Sequence, residues 1–525
     1  MAENKKPLVL AILDGWGFNK KEVGNPIAMA NKPTLDRLVS QFPMLLLQAS
    51  GLAVGMTWGE SGNSEVGHLN IGAGRVIEQY LSRINRAVKD GSFFVNDALT
   101  GAFDHARKNS GQVHLVGLLT SGTVHADFSH IVALLEFARQ KTTLDVYLHL
   151  FLDGKDSGLQ EAPALLEKLS LEITSKGCGK IATLIGRNFA MDRDNNWGST
   201  ERSYRLLTAG EGEMSDDYIK TVKNYYASGK NDSTMEAIVN AKSGFKIINE
   251  NDAVIFFNFR EDSMRQILKP FVEEGFSLFQ KKDLKNVFIC TMTKYSENPI
   301  AHVAFAPPIV INSLAEVLEN NGMNQFHIAE SEKYAHVTYF FNGLREQGFS
   351  KEVDVFIESD KNSPQEPAMK SKEIAEKVIG EINKNIYDFI ILNFANADIL
   401  AHTGDFKTVT KGIEAVDSAL GLVVNKILEL DGVMIVTSDH GNAESLVYRS
   451  SGEAETRHND SPVPFYLVGQ QYQTNKTTER IAQETSEIAG ILGDIAPTIL
   501  ELMGISQPEE ITGKSLLPLL VANTT

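Results

Sequence analysis

Residues 433–441 read VMIVTSDHG. A short run of apolar and β-branched residues ends in an acid, a histidine and a glycine. Such a run suits a strand covered on both faces. An acid at its carboxyl end stands where open parallel sheets gather their functional groups. Taken alone, an aspartate after a strand is a turn former or a helix cap. The pattern recurs, however: LVLAIL (8–13) runs into Asp14-Gly15, and FIILNF (389–394) runs into Ala-Asn-Ala-Asp398. Three such ends, two with a histidine close by (His402 and His440), point to a site.

A second set of runs ends differently. VHLVGLL (113–119) leads to His125-Ala126-Asp127, VYLHLFL (146–152) to Asp153-Gly154-Lys155-Asp156, IATLIG (181–186) to Arg187, and AVIFFNF (253–259) to Arg260. Helical patterns separate the runs. In residues 408–428, Ile413, Val416, Leu420, Val423, Val424 and Ile427 recur at three- and four-residue spacing. Strands alternating with helices give the α/β class with parallel sheets. The acidic ends occur near the N-terminus and again after residue 390, the basic ends only between them. The simplest plan is two α/β domains: one of residues 1–77 and 309–525, interrupted by an inserted domain of residues 80–306. The expected crossings are at 75–80 and at FAPPI (305–309), where Pro307-Pro308 stiffens the chain. A hinged pair with a cleft between the domains is the expectation.

Composition narrows the function. The chain's 525 residues exceed what one core serves. With 42% hydrophobic and 22% charged residues, broad disorder is excluded. A net charge of −17 argues against a nucleic-acid or anionic-membrane partner but leaves room for a small anionic substrate. Cys178 and Cys290 make neither a disulfide framework nor a thiolate metal cluster. The segment Met1–Pro7 followed by LVLAIL is too short for a signal or a membrane span, so the cytoplasm is the expected compartment.

The acidic set offers metal ligands. Asp398 and His402, four apart in DILAH, share one face of a helical turn. Asp439 and His440 are adjacent, Asp14 adds a carboxylate, and His458 follows in TRHND. Each histidine alone has an ordinary structural explanation, His458 above all. Oxygen and imidazole donors without thiolate suit Mn²⁺ or Zn²⁺. Three Asp and three His exceed the needs of one ion, so two ions are expected. Two divalent ions against three carboxylates leave one net positive charge, which favours a phosphate.

Arg187 and Arg193 in GRNFAMDRD and Arg260 in NFRED carry guanidinium forks that match phosphate and carboxylate oxygens. Lys333 in EKYAH is a further candidate phosphate contact. Asp153 and Asp156 flank Gly154-Lys155: one could accept a proton from a hydroxyl, or DGKDS is only a turn. Ser64 lies in SGNSEVGH (61–68). It is a helix cap, a partner of His68, or a nucleophile activated by a metal. The octet lacks the Gly-x-Ser-x-Gly elbow, and the nearby ligand set favours the third reading. His68 is left without a role.

The motifs LDGWG, SGNSEVGH, GLLTSGTVH, GRNFAMDRD, EKYAHVTYFFNG, NFANADILAHTGD, VTSDHGNAE and RHNDSPVPF occur in that order from about Leu8 to about Leu520. Together they resemble cofactor-independent phosphoglycerate mutase of the alkaline phosphatase superfamily. The resemblance implies an alkaline-phosphatase-like metal domain with two Mn²⁺ (the same ligands accept Co²⁺ or Zn²⁺) and an inserted phosphotransferase domain. It implies one ion on Asp398, His402 and His458, and another on Asp14, Ser64, Asp439 and His440. Ser64 would take the phosphoryl group of 3-phosphoglycerate as phosphoserine, without bisphosphoglycerate. The trapped glycerate would reorient and take the group back on its 2-hydroxyl. Asp156 matches the acid/base aspartate, and His125, Arg187, Arg193, Arg260 and Lys333 match substrate-binding positions. Two departures stand out: Lys155 and Ser263 occupy places where the family usually has arginine, and Arg265 is no obvious substitute for the latter. A weaker hold on the substrate's acid groups is expected. The alternative is a metal-dependent phosphohydrolase of the same superfamily. A monomer is expected.

Overall fold

The computed structural model describes residues 6–141, 146–244, 246–298, 300–359, 366–447 and 452–522; the first five residues of the N-terminal reading lie outside them. The chain divides into two compact units, one of residues 1–79 and 308–525 and one of residues 80–307.

In the first unit eight strands form one sheet in the order Glu352–Ile357, Gln325–Glu330, Phe389–Phe394, Leu8–Leu13, Val433–Thr437, Val463–Val468, Met44–Gln48, Ile488–Ile491. All run parallel except Val463–Val468, which opposes both neighbours. The continuous apolar run of Leu8–Leu13 follows from two-sided burial. Val9, Ala11 and Leu13 feed a core beneath helices Ser371–Asn383 and Phe406–Glu429. Leu8, Leu10 and Ile12 feed the opposite core with Val66 and Ile71 of helix Ser64–Ala73. Register then sets the chemistry. Ile12 lies opposite Asn393 on one side and Thr437 on the other, so three strands end level.

The second unit has its own eight-stranded sheet, in the order Ala301–Val303, Phe288–Thr291, Ala253–Phe256, Val113–Leu119, Val146–Leu152, Lys180–Gly186, Ile238–Asn240, Glu213–Ser215. The first six are parallel, and the last two oppose them. The 253–259 run, expected as one strand, leaves the sheet after Phe256. There the Asn258 side chain takes over, accepting the Leu118 amide at 2.9 Å. A polar ladder crosses this apolar sheet. Thr183 Oγ1 lies 2.9 Å from His149 Nδ1, His149 Nε2 lies 2.9 Å from His114 Nδ1, and His114 donates Nε2–H to Asp252 Oδ2 at 3.1 Å. The carboxylate only accepts, so that last proton is fixed on Nε2. Among the described residues no helix is long and apolar enough to cross a membrane.

Candidate active site

Asp14 follows its strand directly, and its amide donates to Phe394 O at 3.1 Å. Ser64 opens the Ser64–Ala73 helix, and Asn63, not Ser64, is the cap, accepting the Val66 amide at 2.9 Å. At that position Ser64 faces the positive end of the helix dipole, which suits an anion. Its Oγ donates to Asp14 Oδ1 at 3.0 Å and lies 3.0 Å from His440 Nε2. Lys333 completes the set: Nζ donates to Asp14 Oδ1 at 2.6 Å, Ser64 Oγ at 2.7 Å and Asp398 Oδ2 at 2.7 Å. Lys333 therefore stands with the serine in the first unit and not with the arginines.

Asp398 and His402 meet as their spacing requires, His402 Nε2 lying 3.3 Å from Asp398 Oδ1. His458 Nε2 lies 3.2 Å from the same oxygen. His402 donates Nδ1–H to Thr456 O at 2.8 Å, and His458 donates Nδ1–H to Gly62 O at 3.0 Å. With Nδ1 so used, Nε2 of each ring is turned inward as the atom left for a ligand bond, and the two Nε2 atoms face each other at 3.2 Å. Two imidazole nitrogens and a carboxylate oxygen converging in this way suit a shared cation. Asp439 Oδ2 is likewise buried without a hydrogen-bond donor. The residues present therefore fit divalent ions. Asp398/His402/His458 and Asp14/Asp398/His440 each bring ligand atoms within 4.8 Å of one another.

The electrostatics agree. Burial opposes charge on Asp14, yet Lys333 and His440 hold its carboxyl well below the usual range. Asp398 is held low in the same way, by Lys333 and its two histidines against burial. Burial also opposes charge on His440, but Asp439 and Asp14 raise it to about 9.

In the second unit a cavity of about 600 Å³ is lined by His125, Lys155, Asp156, Arg187, Arg193, Arg260 and Ser263, among others. Asp153 is not available for proton transfer: it accepts Thr120 Oγ1 at 2.5 Å, Arg187 NH1 at 2.6 Å and two backbone amides. Asp156 bonds Arg187 NH1 at 2.5 Å and lies 3.7 Å from His125 Nε2. Burial and the neighbouring Arg187 push His125 down to about 4, so its ring is neutral near pH 7. Arg265 is engaged by Glu261 at 3.5 Å.

The sequence reading passed over Asp262. Its Oδ2 accepts Arg193 NH1 at 2.7 Å and lies 3.2 Å from Arg260 Nε, and its Oδ1 is 3.6 Å from His125 Nδ1. One carboxylate thus orients three of the residues singled out for substrate.

The sequence matches the Metalloenzyme superfamily over residues 6–507. It is 42% identical over 520 residues to the 2,3-bisphosphoglycerate-independent phosphoglycerate mutase of Clostridioides difficile, covering 98% of this chain and 99% of that one. The enzyme of the same name from Moorella thermoacetica is 42% identical over 518 residues, covering 98% of each chain. The chain belongs to the 2,3-bisphosphoglycerate-independent phosphoglycerate mutases. The solved structure of Leishmania mexicana phosphoglycerate mutase at low cobalt concentration matches with a TM-score of 0.69 at 27% identity, covering 97% of both chains. Membership in these mutases makes the chain a divalent-metal enzyme acting on a small phosphorylated substrate. The phosphohydrolase alternative finds no comparable support.

Two more residues of this mutase were not anticipated. Asn393 Nδ2 donates to Asp14 Oδ2 at 2.8 Å, and Asn442 Nδ2 to Asp398 Oδ1 at 2.8 Å. A polar residue inside the apolar run FIILNF was the signal for the first. The glycines of SGNSEVGH also find their reason here. A Cβ on Gly62 would lie 2.1 Å from Ala49 O, and one on Gly67 would lie 2.6 Å from Asp439 O. At both positions the protein's own backbone takes the space that a side chain would need.

Proposed function

We propose that the chain interconverts 3- and 2-phosphoglycerate through a phosphoserine on Ser64, as an isomerase of glycolysis and gluconeogenesis. The observation that carries this is the setting of Ser64 Oγ, at a helix N-terminus and within 3.0 Å of Asp14, His440 and Lys333.

Ser64 Oγ, entering as the alkoxide, attacks the phosphorus of 3-phosphoglycerate, and the bond to the glycerate 3-oxygen breaks. The glycerate 2-oxygen then attacks the phosphoserine, and Ser64 is released as the alkoxide again. Asp156 gives the proton that the departing 3-oxygen takes and accepts the one that the 2-hydroxyl loses. Asp153 cannot serve, since its oxygens are already occupied. Lys333, donating to Ser64 Oγ, is placed to neutralise the phosphoryl oxygens. Arg187, Arg193 and Arg260 bind the substrate's acid groups, and neutral His125 offers it a hydrogen bond rather than a charge. Asp398, His402 and His458 would hold one divalent ion and Asp14, Ser64, Asp439 and His440 another, supplying Lewis-acid stabilisation of the phosphoryl group and a lowered serine pKa. The all-nitrogen-and-oxygen donor set supports Mn²⁺, with Co²⁺ or Zn²⁺ as substitutes.

We place the enzyme in the cytoplasm as a monomer without nucleic-acid or membrane partners. The net charge of −17 supports the last point, and the supply of every assigned residue by one chain supports the monomer.

The test is 2-phosphoglycerate formation from 3-phosphoglycerate without bisphosphoglycerate, with Mn²⁺ or chelator, for wild type and Ser64→Ala. Ser64→Ala should abolish turnover and ³²P labelling of the protein. Turnover surviving in Ser64→Ala would remove the phosphoserine route, and free phosphate exceeding 2-phosphoglycerate would favour a phosphohydrolase.

A further inference from the structure

His68 has no role in the chemistry above, yet it is fully buried and both ring nitrogens are used. Nδ1 lies 2.9 Å from Ser64 O. A carbonyl oxygen only accepts, so Nδ1 carries the proton. Nε2 lies 3.0 Å from Asn393 Nδ2, and the same amide nitrogen donates to Asp14 Oδ2 at 2.8 Å. The nitrogen must face Asp14, because the amide oxygen there would oppose a carboxylate. One amide hydrogen goes to Asp14, the other to His68. The ring is therefore a neutral imidazole with its tautomer fixed. His336 packs edge-on against it, with ring centroids 5.4 Å apart.

Asp14, His68 and Asp439 lie close enough together to suggest a shared ion. The bonding argues against His68 as a ligand, since its one lone pair is taken by Asn393. What it does instead follows from the atoms it reaches. The bonds run without a break from Asp14 Oδ2 through Asn393 and His68 to the Ser64 carbonyl, with Asp439 Oδ2 3.2 Å from Nδ1. Two of the four residues assigned to one ion, Asp14 and Ser64, are thereby joined, and a third, Asp439, is in contact. Asn393 also decides which oxygen of Asp14 faces the serine. It holds Oδ2, leaving Oδ1 to face Ser64 Oγ at 3.0 Å and His440 Nε2 at 3.5 Å.

We propose that Asn393 and His68 form a positioning relay that sets Asp14, Ser64 and Asp439 for one of the two metal ions, His68 acting as a neutral spacer and not as a ligand. The proposal rests on the assignment of that ion to Asp14, Ser64, Asp439 and His440.

The experiment is Mn²⁺ titration of the full-length, metal-stripped protein by calorimetry, with Tm measured in chelator for every variant. Asp439→Asn and His458→Ala define the two sites, each expected to lose one ion. Asn393→Leu and His68→Leu should each weaken the ion lost in Asp439→Asn by about 10–100-fold, as loss of an outer-shell partner does. They should leave the other ion within about threefold. The double variant should be no weaker than the worse single, because both act along one path. His68→Gln, which keeps a donor and an acceptor, should recover most of the affinity. If His68→Leu is unfolded in chelator, Asn393→Leu and His68→Gln decide. Wild-type affinity for both ions in Asn393→Leu, with the two reference variants behaving as stated, overturns the relay alone. Failure of Asp439→Asn and His458→Ala to remove one ion each overturns the site assignment beneath it.

Discussion

Lys155 and Ser263 line the same cavity as Arg187, Arg193 and Arg260. Ser263 is 3% exposed, and its hydroxyl donates to Asp262 Oδ1 at 3.1 Å, where it supports a carboxylate but offers no fork to a substrate. Lysine at 155 keeps charge but not the paired donors. The double variant Lys155→Arg/Ser263→Arg should therefore lower KM for phosphoglycerate by about tenfold, roughly 1.4 kcal/mol; an unchanged or raised KM would mean that the cavity already compensates. His125 gives a second residue-scale expectation. Its ring is neutral, with a pKa near 4 from burial and Arg187. His125→Gln should then change KM only a few-fold, while His125→Leu should raise it about ten- to a hundredfold, the loss of about 1.5–3 kcal/mol expected for hydrogen bonds to a charged group. Equal effects of the two would show that the ring serves packing alone. Both pieces of this chemistry were half legible in the chain. The basic residues stand at strand ends, where a sequence pattern points. Asp262, which orients them, opens the short 3-10 helix Asp262–Met264, and no local pattern separates it from a solvated acid.

At the scale of elements, the Ser64–Ala73 helix is held against the Asp439 loop through Gly67. A Cβ there would lie 2.6 Å from Asp439 O and 2.7 Å from Asp439 Cβ, both in the buried turn just past the strand Val433–Thr437. Gly67→Ala should cost about 1–3 kcal/mol of stability by overpacking and reduce kcat more than KM, because it moves Ser64 relative to Asp439. Steady-state kinetics beside a urea melt would check this, and a purely stability-linked loss would count against it. Three histidines of the second unit behave alike. Burial pushes His130 down to about 4, as it does His125, and pushes His149 far below its usual value. Unfolded, each takes a proton near pH 6.5, whereas folded they refuse it until about pH 4 or below. The unfolded state then binds more protons, so stability is complete above pH 6.5 and falls as pH drops from 6.5 towards 4. The urea midpoint of the second unit should fall over that window; a flat profile would contradict the buried neutral rings. The alternation of strand and helix was readable because burial on both faces imposes continuous apolar runs. The early end of the 253–259 run was not, because a side-chain amide replaces a backbone bond there.

For the whole molecule, the ligand candidates Asp14, Asp398, His402, Asp439, His440 and His458 all fall in the unit of residues 1–79 and 308–525. A ligand that binds only the folded state stabilises by about 2.7 kcal/mol at a hundredfold excess over its Kd. Calorimetry of the full chain should show Mn²⁺ raising one transition by several degrees and leaving the other in place. A shift of both by the same amount would contradict ions confined to the first unit.

The sequence by itself determined the α/β class, the order of acidic and basic strand ends, and the kinds of donor the chain carries to its site. These are properties of neighbouring residues, since burial of a strand is written in its own run of side chains and the polar residue that ends it. The tertiary structure decided which atoms meet. Asp14 and Ser64 stand more than 300 residues before Asn393 and Asp439, and the two pairs come together only because the strands Leu8–Leu13, Phe389–Phe394 and Val433–Thr437 lie side by side and end level. Strand order and register are long-range choices that no local periodicity encodes. His68, without a role in the chain as read, has one in the fold because Asn393 reaches it from another strand.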